Sequence, residues 1–353
     1  VFPGYHCIEA RSIKLNRDDD LNIQNEYSGD LVGKIRKQLK KRGLGAPSRF
    51  LYDGNMSPEM LQFITAVFKL RDEEVVEGGR YHNMDDLFGL PNPVGKDLQA
   101  QPLPPIKKAI LETPESIFDI IDRKDLLLHF PYHSYDYVLR FFNEASLDPY
   151  VTRIRATFYR VAPNSVISSA LISAARNGKK VSVFFEVKAR FDELNNLEWA
   201  GKMEEAGIKI TYSIPGIKVH AKVALVDRQK NGRKIRYGFY GTGNFNEKTA
   251  GIYADQCLLT RNSKLNDELV NVFAFLNTQR NNFRFNHLLV SQFNIVERLV
   301  AMIDREINCA KSGKKAHIIL KLNNIEDPLM IDKLYEASQA GVEVQLIIRS
   351  ICR

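Results

Sequence analysis

The chain has little cysteine: four residues in 353, at positions 7, 257, 309 and 352, with no CxxC pair among them. That spacing argues against a zinc ribbon and against a disulfide framework, and the expectation is free thiols in a reducing cytoplasm. No apolar run approaches the roughly 18 residues needed to cross a bilayer. The first ten residues, VFPGYHCIEA, have neither a charged n-region nor an apolar h-region, so no secretory signal is expected. They also lack an initiator Met and begin in mid-pattern, which suggests an excised fragment. Acidic residues are in deficit, with 42 Asp and Glu against 50 Lys and Arg, for a net charge of +8. Such a balance favours a polyanionic partner: nucleic acid, phospholipid head groups or a phosphate chain. It does not choose among them. What is present, 44% hydrophobic and 26% charged residues, is globular. The length allows two to three domains with ample core.

One stretch, Ile214 to Asp255, organises the rest. A short apolar strand is expected from Ile217 to Val226, with His220 and Lys222 two apart and so on one face. Asp227 follows, then a polar turn (Arg228 to Arg233), a second strand (Ile235 to Tyr240) and Gly241-Thr-Gly-Asn244. Each residue type has a chemical use. A neutral imidazole can attack phosphorus and form a covalent intermediate. A lysine beside it can neutralise phosphoryl oxygens. Glycines let backbone approach phosphate, and small polar side chains add donors. A lone His on a strand is usually structural. His, Lys, Asp and the Gly/Asn loop together shift the balance toward chemistry. Asp227 either orients a neighbouring group or is a turn residue.

In chain order, residues 1–106 read as a partial α+β domain. It holds a strand at Glu9 to Leu15, a basic amphipathic helix at Asp30 to Arg42 and a strand at Arg49 to Tyr52. A helix follows, capped by Ser57 with Pro58 at its first position. Five prolines between Pro91 and Pro105 mark a linker. Residues 107–287 read as one α/β domain. Strands are expected at Leu126 to Phe130, Arg153 to Tyr159, Val181 to Val187 and Ile208 to Tyr212. Helices are expected at Tyr137 to Ala145, Ser165 to Asn177 and Asp192 to Ala206. Ligands gather at the carboxyl ends of such strands, which brings Arg160, Lys188, Arg190 and the His220 strand toward one site. Arginine suits phosphate there because its fork reaches two oxygens.

The end repeats the middle. The segment from Ala170 aligns with that from Lys333 at an offset of 163, each a helix, a Gly stop and a buried strand. The preceding strands, Arg153 to Tyr159 and Ala316 to Leu322, match as well. A second copy therefore starts near residue 290, includes a helix at Phe293 to Cys309 and occupies 288–353. The same offset carries His220 beyond the last residue, and His317 is not followed by Lys at two. The expectation is a two-lobed enzyme whose second lobe is truncated.

H-x-K-x4-D followed by G-[ST]-x-N in a duplicated α/β fold resembles the phospholipase D superfamily. More specific strings resemble bacterial polyphosphate kinases of the first type. They are Leu127-Leu-His-Phe-Pro-Tyr-His-Ser-Tyr-Asp, Thr157-Phe-Tyr-Arg160, Glu186-Val-Lys-Ala-Arg190, Gly216-Ile-Lys-Val-His-Ala-Lys222, Gly241-Thr-Gly-Asn-Phe-Asn246 and Asp327-Pro-Leu-Met-Ile-Asp. The resemblance runs from about residue 5 to the end, weakest in the first hundred residues. It implies phospholipase D-like duplicated lobes behind a partial head domain, without the family's N-terminal domain and most of its last domain. It also implies roles. His220 matches the histidine that takes the phosphoryl group from ATP, with Lys222 offsetting charge. Arg160 and Arg190 match a Mg²⁺- and phosphate-binding site. Tyr253 matches a nucleotide contact, and Arg349 an arginine near the ATP phosphates. Two departures stand out: Gly251 where the family has Arg, and Ser350 where it has Gly. The family's second catalytic histidine has no counterpart. The implied activity is reversible transfer between ATP and inorganic polyphosphate through phosphohistidine. The implied setting is a cytoplasmic or membrane-peripheral homo-oligomer with ADP and polyphosphate as partners and no specific nucleic acid. The alternatives are a phospholipase D-type phosphodiesterase acting on lipid or nucleic acid, and a non-enzymatic polyanion-binding module. His129 and His133 are read as structural.

Overall fold

A computed structural model describes residues 3–4, 8–17, 33–37, 47–101, 103–189 and 192–353. Its centre is a seven-stranded mixed sheet in the order β4-β10-β9-β8-β5-β6-β7. The strands are β4 (Leu126–Phe130), β5 (Val151–Phe158), β6 (Lys180–Phe185), β7 (Lys209–Tyr212), β8 (Lys222–Lys230), β9 (Arg233–Gly241) and β10 (Asp255–Thr260). β5, β6 and β7 run parallel, and β8 joins β5 antiparallel. β8, β9, β10 and β4 continue as antiparallel neighbours. β6 reads as a largely apolar run because both of its faces are covered. Ile154, Ala156, Val183, Phe185, Ala224 and Val226 bury into the larger core, beside helices Asp136–Leu147 and Val166–Arg176. Phe184 and Leu225 point the other way, into a second cluster with Leu269, Phe273 and Leu276 of the helix Ser263–Thr278.

Most expected elements form within two or three residues of their expected bounds. The cap on Ser57 holds: its side chain accepts from Met60 N, and the helix Pro58–Phe68 starts on proline. Three further strands, β1 (Ile13–Arg17), β2 (Pro47–Asp53) and β3 (Val75–Gly78), form a separate small sheet. Residues 33–37 are helical, and the rest of the basic helix expected from Asp30 to Arg42 lies outside the described residues. Ile35 is fully buried within the core of the main sheet, so the head segment packs onto the α/β region. The proline-rich stretch carries no strand or α-helix among its described residues.

Two expectations change. The strand expected from Ile217 begins only at Lys222, and 217–221 is irregular. The reason lies in the hydrogen bonding. Val219 N–H donates to a Glu186 carboxylate at 2.9 Å, and the Ala221 carbonyl accepts from Thr157 Oγ1 at 2.6 Å. Side chains therefore take the backbone groups that a sheet ladder would have used. Asp227 is no turn residue. It sits inside β8, 1% exposed, paired with Arg155 at 2.8 Å and Lys234 at 3.0 Å.

The repeat is real at the level of packing. Helices Val166–Arg176 and Pro328–Gln339 each precede a left-handed glycine, Gly178 (φ 80°) and Gly341 (φ 92°). β11 (His317–Leu322) and β12 (Glu343–Ile348) pair parallel, as β5 and β6 do. Leu171 and Ala174 have buried counterparts in Leu334 and Ala337 at an offset of 163. The register refines the offset for the first strand. Ile154 pairs with Val181, and Ile318 pairs with Val344, so β5 maps onto β11 at 164.

Candidate active site

His220 lies in the irregular segment immediately before β8. Its loop is tied at both ends by side chains from neighbouring strands. Glu186, fully buried just after β6, accepts from Val219 N, from Lys188 N at 3.1 Å and from Ser213 Oγ. Thr157, near the end of β5, donates to the Ala221 carbonyl and accepts from Val223 N at 3.1 Å. The His220 ring packs edge-on against Tyr159, with centroids 4.7 Å apart. Its Nδ1 is 2.7 Å from Nζ of Lys222. No other hydrogen bond to the ring occurs among the described residues, so Nε2 is open. The expected proximity of His220 and Lys222 therefore holds, although they do not share a strand.

The electrostatics favour an anion. Tyr159 is 9% exposed, and three cations sit about its ring: Lys222 at 5.3 Å, Arg160 at 5.8 Å and Lys218 at 5.9 Å. Lys222 is 4% exposed. Burial brings its pKa down to about 8, with Asp255 opposing the shift and Arg160 adding to it. The pKa of His220 is lowered, first by partial burial of the ring and then by Lys222, Lys218 and Arg160. A neutral imidazole is thus the favoured form near pH 7, as a nucleophile requires.

The glycine loop lies beside this pair. Gly241 is directly opposite Lys222 on β9, and opposite Cys257 on β10. Thr242 Oγ1 donates to Asp255 at 2.8 Å and accepts from Gln256 N at 3.0 Å. A Cβ on Gly243 would lie 2.5 Å from an Asp255 oxygen, so this position needs glycine for close approach. The Asn244 side-chain oxygen is buried without a partner among the described residues.

The other expected residues divide. Arg160 joins the cluster, and pairs with Asp192 at 3.2 Å. Arg190 lies outside the described residues. Tyr253 is exposed on the turn that follows the short helix Glu247–Ala250. Arg349 is exposed just past β12, with its N–H bonded to the Leu322 carbonyl. Neither is bonded to His220 or Lys222. The structural reading of His133 fits its geometry: its Nδ1 accepts from His129 N at 2.9 Å, and His129 packs on Tyr132. Sequence reasoning missed Glu186, Thr157, Tyr159 and Lys218 as parts of the site. All four stand inside the strings quoted above, but nothing local distinguishes a buried support from a filler residue. Among the described residues no group of three His, Cys, Asp or Glu is placed to hold a metal ion. No helix among them is long and apolar enough to cross a membrane.

The fold and site together define a mixed α/β protein with a His-x-Lys pair at the entry of one strand and a Gly-Thr-Gly-Asn loop at the end of the next. Three family models match the chain: the polyphosphate kinase middle domain over residues 1–90, C-terminal domain 1 over 116–282 and C-terminal domain 2 over 288–353. The chain belongs to the polyphosphate kinase family. It is 40% identical to the polyphosphate kinase of Vibrio vulnificus over 99% of its length and 50% of that protein. It is also 40% identical to the Escherichia coli K12 polyphosphate kinase, over 100% of the chain and 52% of the relative. The solved structure of polyphosphate kinase from Porphyromonas gingivalis matches with a TM-score of 0.82 at 42% identity, over 99% of this chain and 51% of that one. The chain spans about half the length of the relatives it matches.

Proposed function

We propose that the chain carries the phosphoryl-accepting lobe of an ATP–polyphosphate phosphotransferase, with His220 as the nucleophile. The observation that carries this reading is His220 itself: Nδ1 engaged by Lys222, Nε2 open, and three cations about the adjoining Tyr159 ring. In the first step Nε2 attacks the terminal phosphorus of ATP. The N–P bond forms as the bond to the ADP oxygen breaks. Attack through Nε2 requires the remaining proton on Nδ1. The Nδ1–H then donates to an unprotonated Lys222 amine, which its lowered pKa makes accessible. In the second step a terminal oxygen of a phosphate chain attacks the same phosphorus, and the N–P bond breaks. Both donor and acceptor are phosphoanhydrides, so the transfer runs either way.

Mg²⁺, which the resemblance implies, does not fit the described residues as a protein-held ion. Arg160 has no lone pair to offer, and the Asp192 beside it is already paired with it. Neutralisation of the phosphoryl oxygens is therefore assigned to Arg160 and Lys218, with Arg190 expected to join them. Tyr253 and Arg349 are kept as nucleotide contacts. The divisions 1–106, 107–287 and 288–353 are proposed as three folding units of a homo-oligomeric enzyme, cytoplasmic or peripheral to the inner membrane.

The test is covalent labelling with γ-labelled ATP. Acid-labile, base-stable label on the protein, absent in His220→Ala and chased into polyphosphate or back to ADP, is the expected result. Cleavage of a phosphodiester without such label would replace this reading with the phospholipase D-type one. The resemblance of the whole chain to polyphosphate kinases argues against that rival.

A further inference from the structure

The parallel strands carry a second cluster of cations at the end opposite His220. Arg153 and Arg155 on β5, Lys180 on β6 and Lys209 on β7 line a cleft of about 510 Å³ beneath the helix Ser263–Thr278. No carboxylate lines it. Register explains the convergence. Arg153 pairs with Lys180, and Ser182, two residues on, pairs with Lys209, so all lie on one face of the sheet. Neighbouring strands lie roughly 4.8 Å apart, which sets three basic side chains in a diagonal row across three strands. Tyr159 and Arg160 lie past the carboxyl end of β5, roughly 20 Å along the strand from Arg153 at about 3.3 Å per residue. The cleft is thus distinct from the candidate active site.

The row is also poorly neutralised. Arg155 is 7% exposed and has Asp227 at 2.8 Å, but its Nε is buried without a partner and it stacks on Phe273. Asp227 is shared with Lys234 and Arg236, the last of which also pairs with Asp267, so Arg155 does not have the carboxylate to itself. Among the described residues the side chains of Arg153, Lys180 and Lys209 make no hydrogen bond or ion pair. Burial and the neighbouring Arg153 both work against the charged form of Arg155, and Asp227 offsets them only in part. Like charges held side by side in a concave site call for a bound anion. A row, as opposed to a single nest, suits an anion whose charges are also in a row. Ser182 on the wall adds a hydroxyl for hydrogen bonding.

We propose that this cleft is an auxiliary binding site for a linear oligophosphate, separate from the His220 site. The choice of ligand rests on the phosphate-chain reading of the family. A site of this kind would retain a chain near the enzyme between transfers, through multivalent contact at two places on one molecule.

Calorimetric titration of the protein with inorganic tripolyphosphate tests it. Two classes of site are expected in the unmodified protein. The Lys180→Ser/Lys209→Ser double variant should lose one class, with at least tenfold weaker binding there. It should leave the label on His220 unchanged. Lys180→Arg/Lys209→Arg should restore binding, which separates charge from folding. Arg160→Ala should weaken the other class only. The salt dependence of the first class should fall in the Ser variant, because fewer counterions are released. A single class of site that ignores the Lys180 and Lys209 substitutions would overturn the proposal. So would equal competition at this site by a single-stranded oligonucleotide of matched charge, which would make it a general nucleic-acid surface. The catalytic reading stands or falls separately, on covalent label at His220.

Discussion

Nζ of Lys222 lies 2.7 Å from Nδ1 of His220, and the lysine is the more deeply buried of the two. A cation held in the protein interior is costly, and this one has no carboxylate ion pair within 4 Å among the described residues. Lys222→Met keeps the length of the side chain and removes the charge. It should stabilise the fold at pH 7 by up to about 3 kcal/mol, judged from the lowered pKa. It should also abolish or severely slow labelling of His220. The sign follows from linkage. Below pH 8 the folded state carries the full penalty of a charged buried lysine. Between about 8 and 10.5 the folded state binds fewer protons than the unfolded one, so stability rises with pH. Urea melts of both proteins at pH 7 and pH 9.5 check this, and an unchanged difference between them would refute it.

The imidazole gives a second handle. The pKa of His220 should fall below its ordinary 6.5, because the ring is partly buried and faces three cations. Labelling should therefore rise with pH toward about 8, as the Lys222 amine becomes free to accept from Nδ1–H, and be lost in acid as pH drops through the lowered value of the ring, where protonation removes the lone pair. In Lys222→Met the pKa should move back upward. Histidine ring shifts followed by NMR across pH 4.5–8 report both.

Glu186 holds the His220 loop without touching the ring. Glu186→Gln keeps the shape but loses an acceptor for Ser213, Lys188 or Val219. The expected cost is about 1–3 kcal/mol in stability. Label transfer should slow because the ring loses its fixed approach. A positioning role predicts that kcat falls more than KM rises, and that the pH profile keeps its shape. Glu186→Gln with full kcat would remove Glu186 from the site.

Gly243→Ala tests the glycine loop. The new methyl would meet Asp255 at 2.5 Å, so either the loop or the carboxylate must move. Asp255 raises the Lys222 pKa and anchors Thr242. Labelling should drop by roughly tenfold or more, while the far-UV spectrum and the melting transition stay close to those of the parent, since the loop lies at the sheet edge of the site. A variant with parental labelling would show that close approach is unnecessary there.

Asp227 belongs to the fold. Asp227→Ala strips Arg155, Lys234 and Arg236 of their shared carboxylate and leaves a buried guanidinium unpaired. The expected loss is about 3–5 kcal/mol of stability. Protein that remains folded should label at His220 at the parental rate, because Asp227 lies five positions along β8 from Lys222.

Much of this was readable in the sequence for a local reason. Helix starts were legible at Ser57 and Ser165, where the cap is made by neighbours three residues away. β6 was legible because burial on both faces leaves a largely apolar run. The repeat was legible because Leu171 and Leu334 face equivalent packing, so the same pattern recurs. His220, Lys222 and the glycine loop stood out because their chemistry and spacing are uncommon together.

What tertiary structure decided depends on groups far apart in the chain. Sequence pattern extended the apolar strand through His220. The fold ends it at Lys222, because Glu186 and Thr157 capture the backbone groups that the ladder would have used. Asp227 read equally as an orienting group or a turn residue until Arg155, 72 positions earlier, met it inside the sheet. The cations around Tyr159, and the row formed by Arg153, Lys180 and Lys209, exist only through strand order and register. Local pattern encodes what a residue does to its own turn of chain. Which charges meet is fixed by the sheet, where neighbours in space are strangers in sequence.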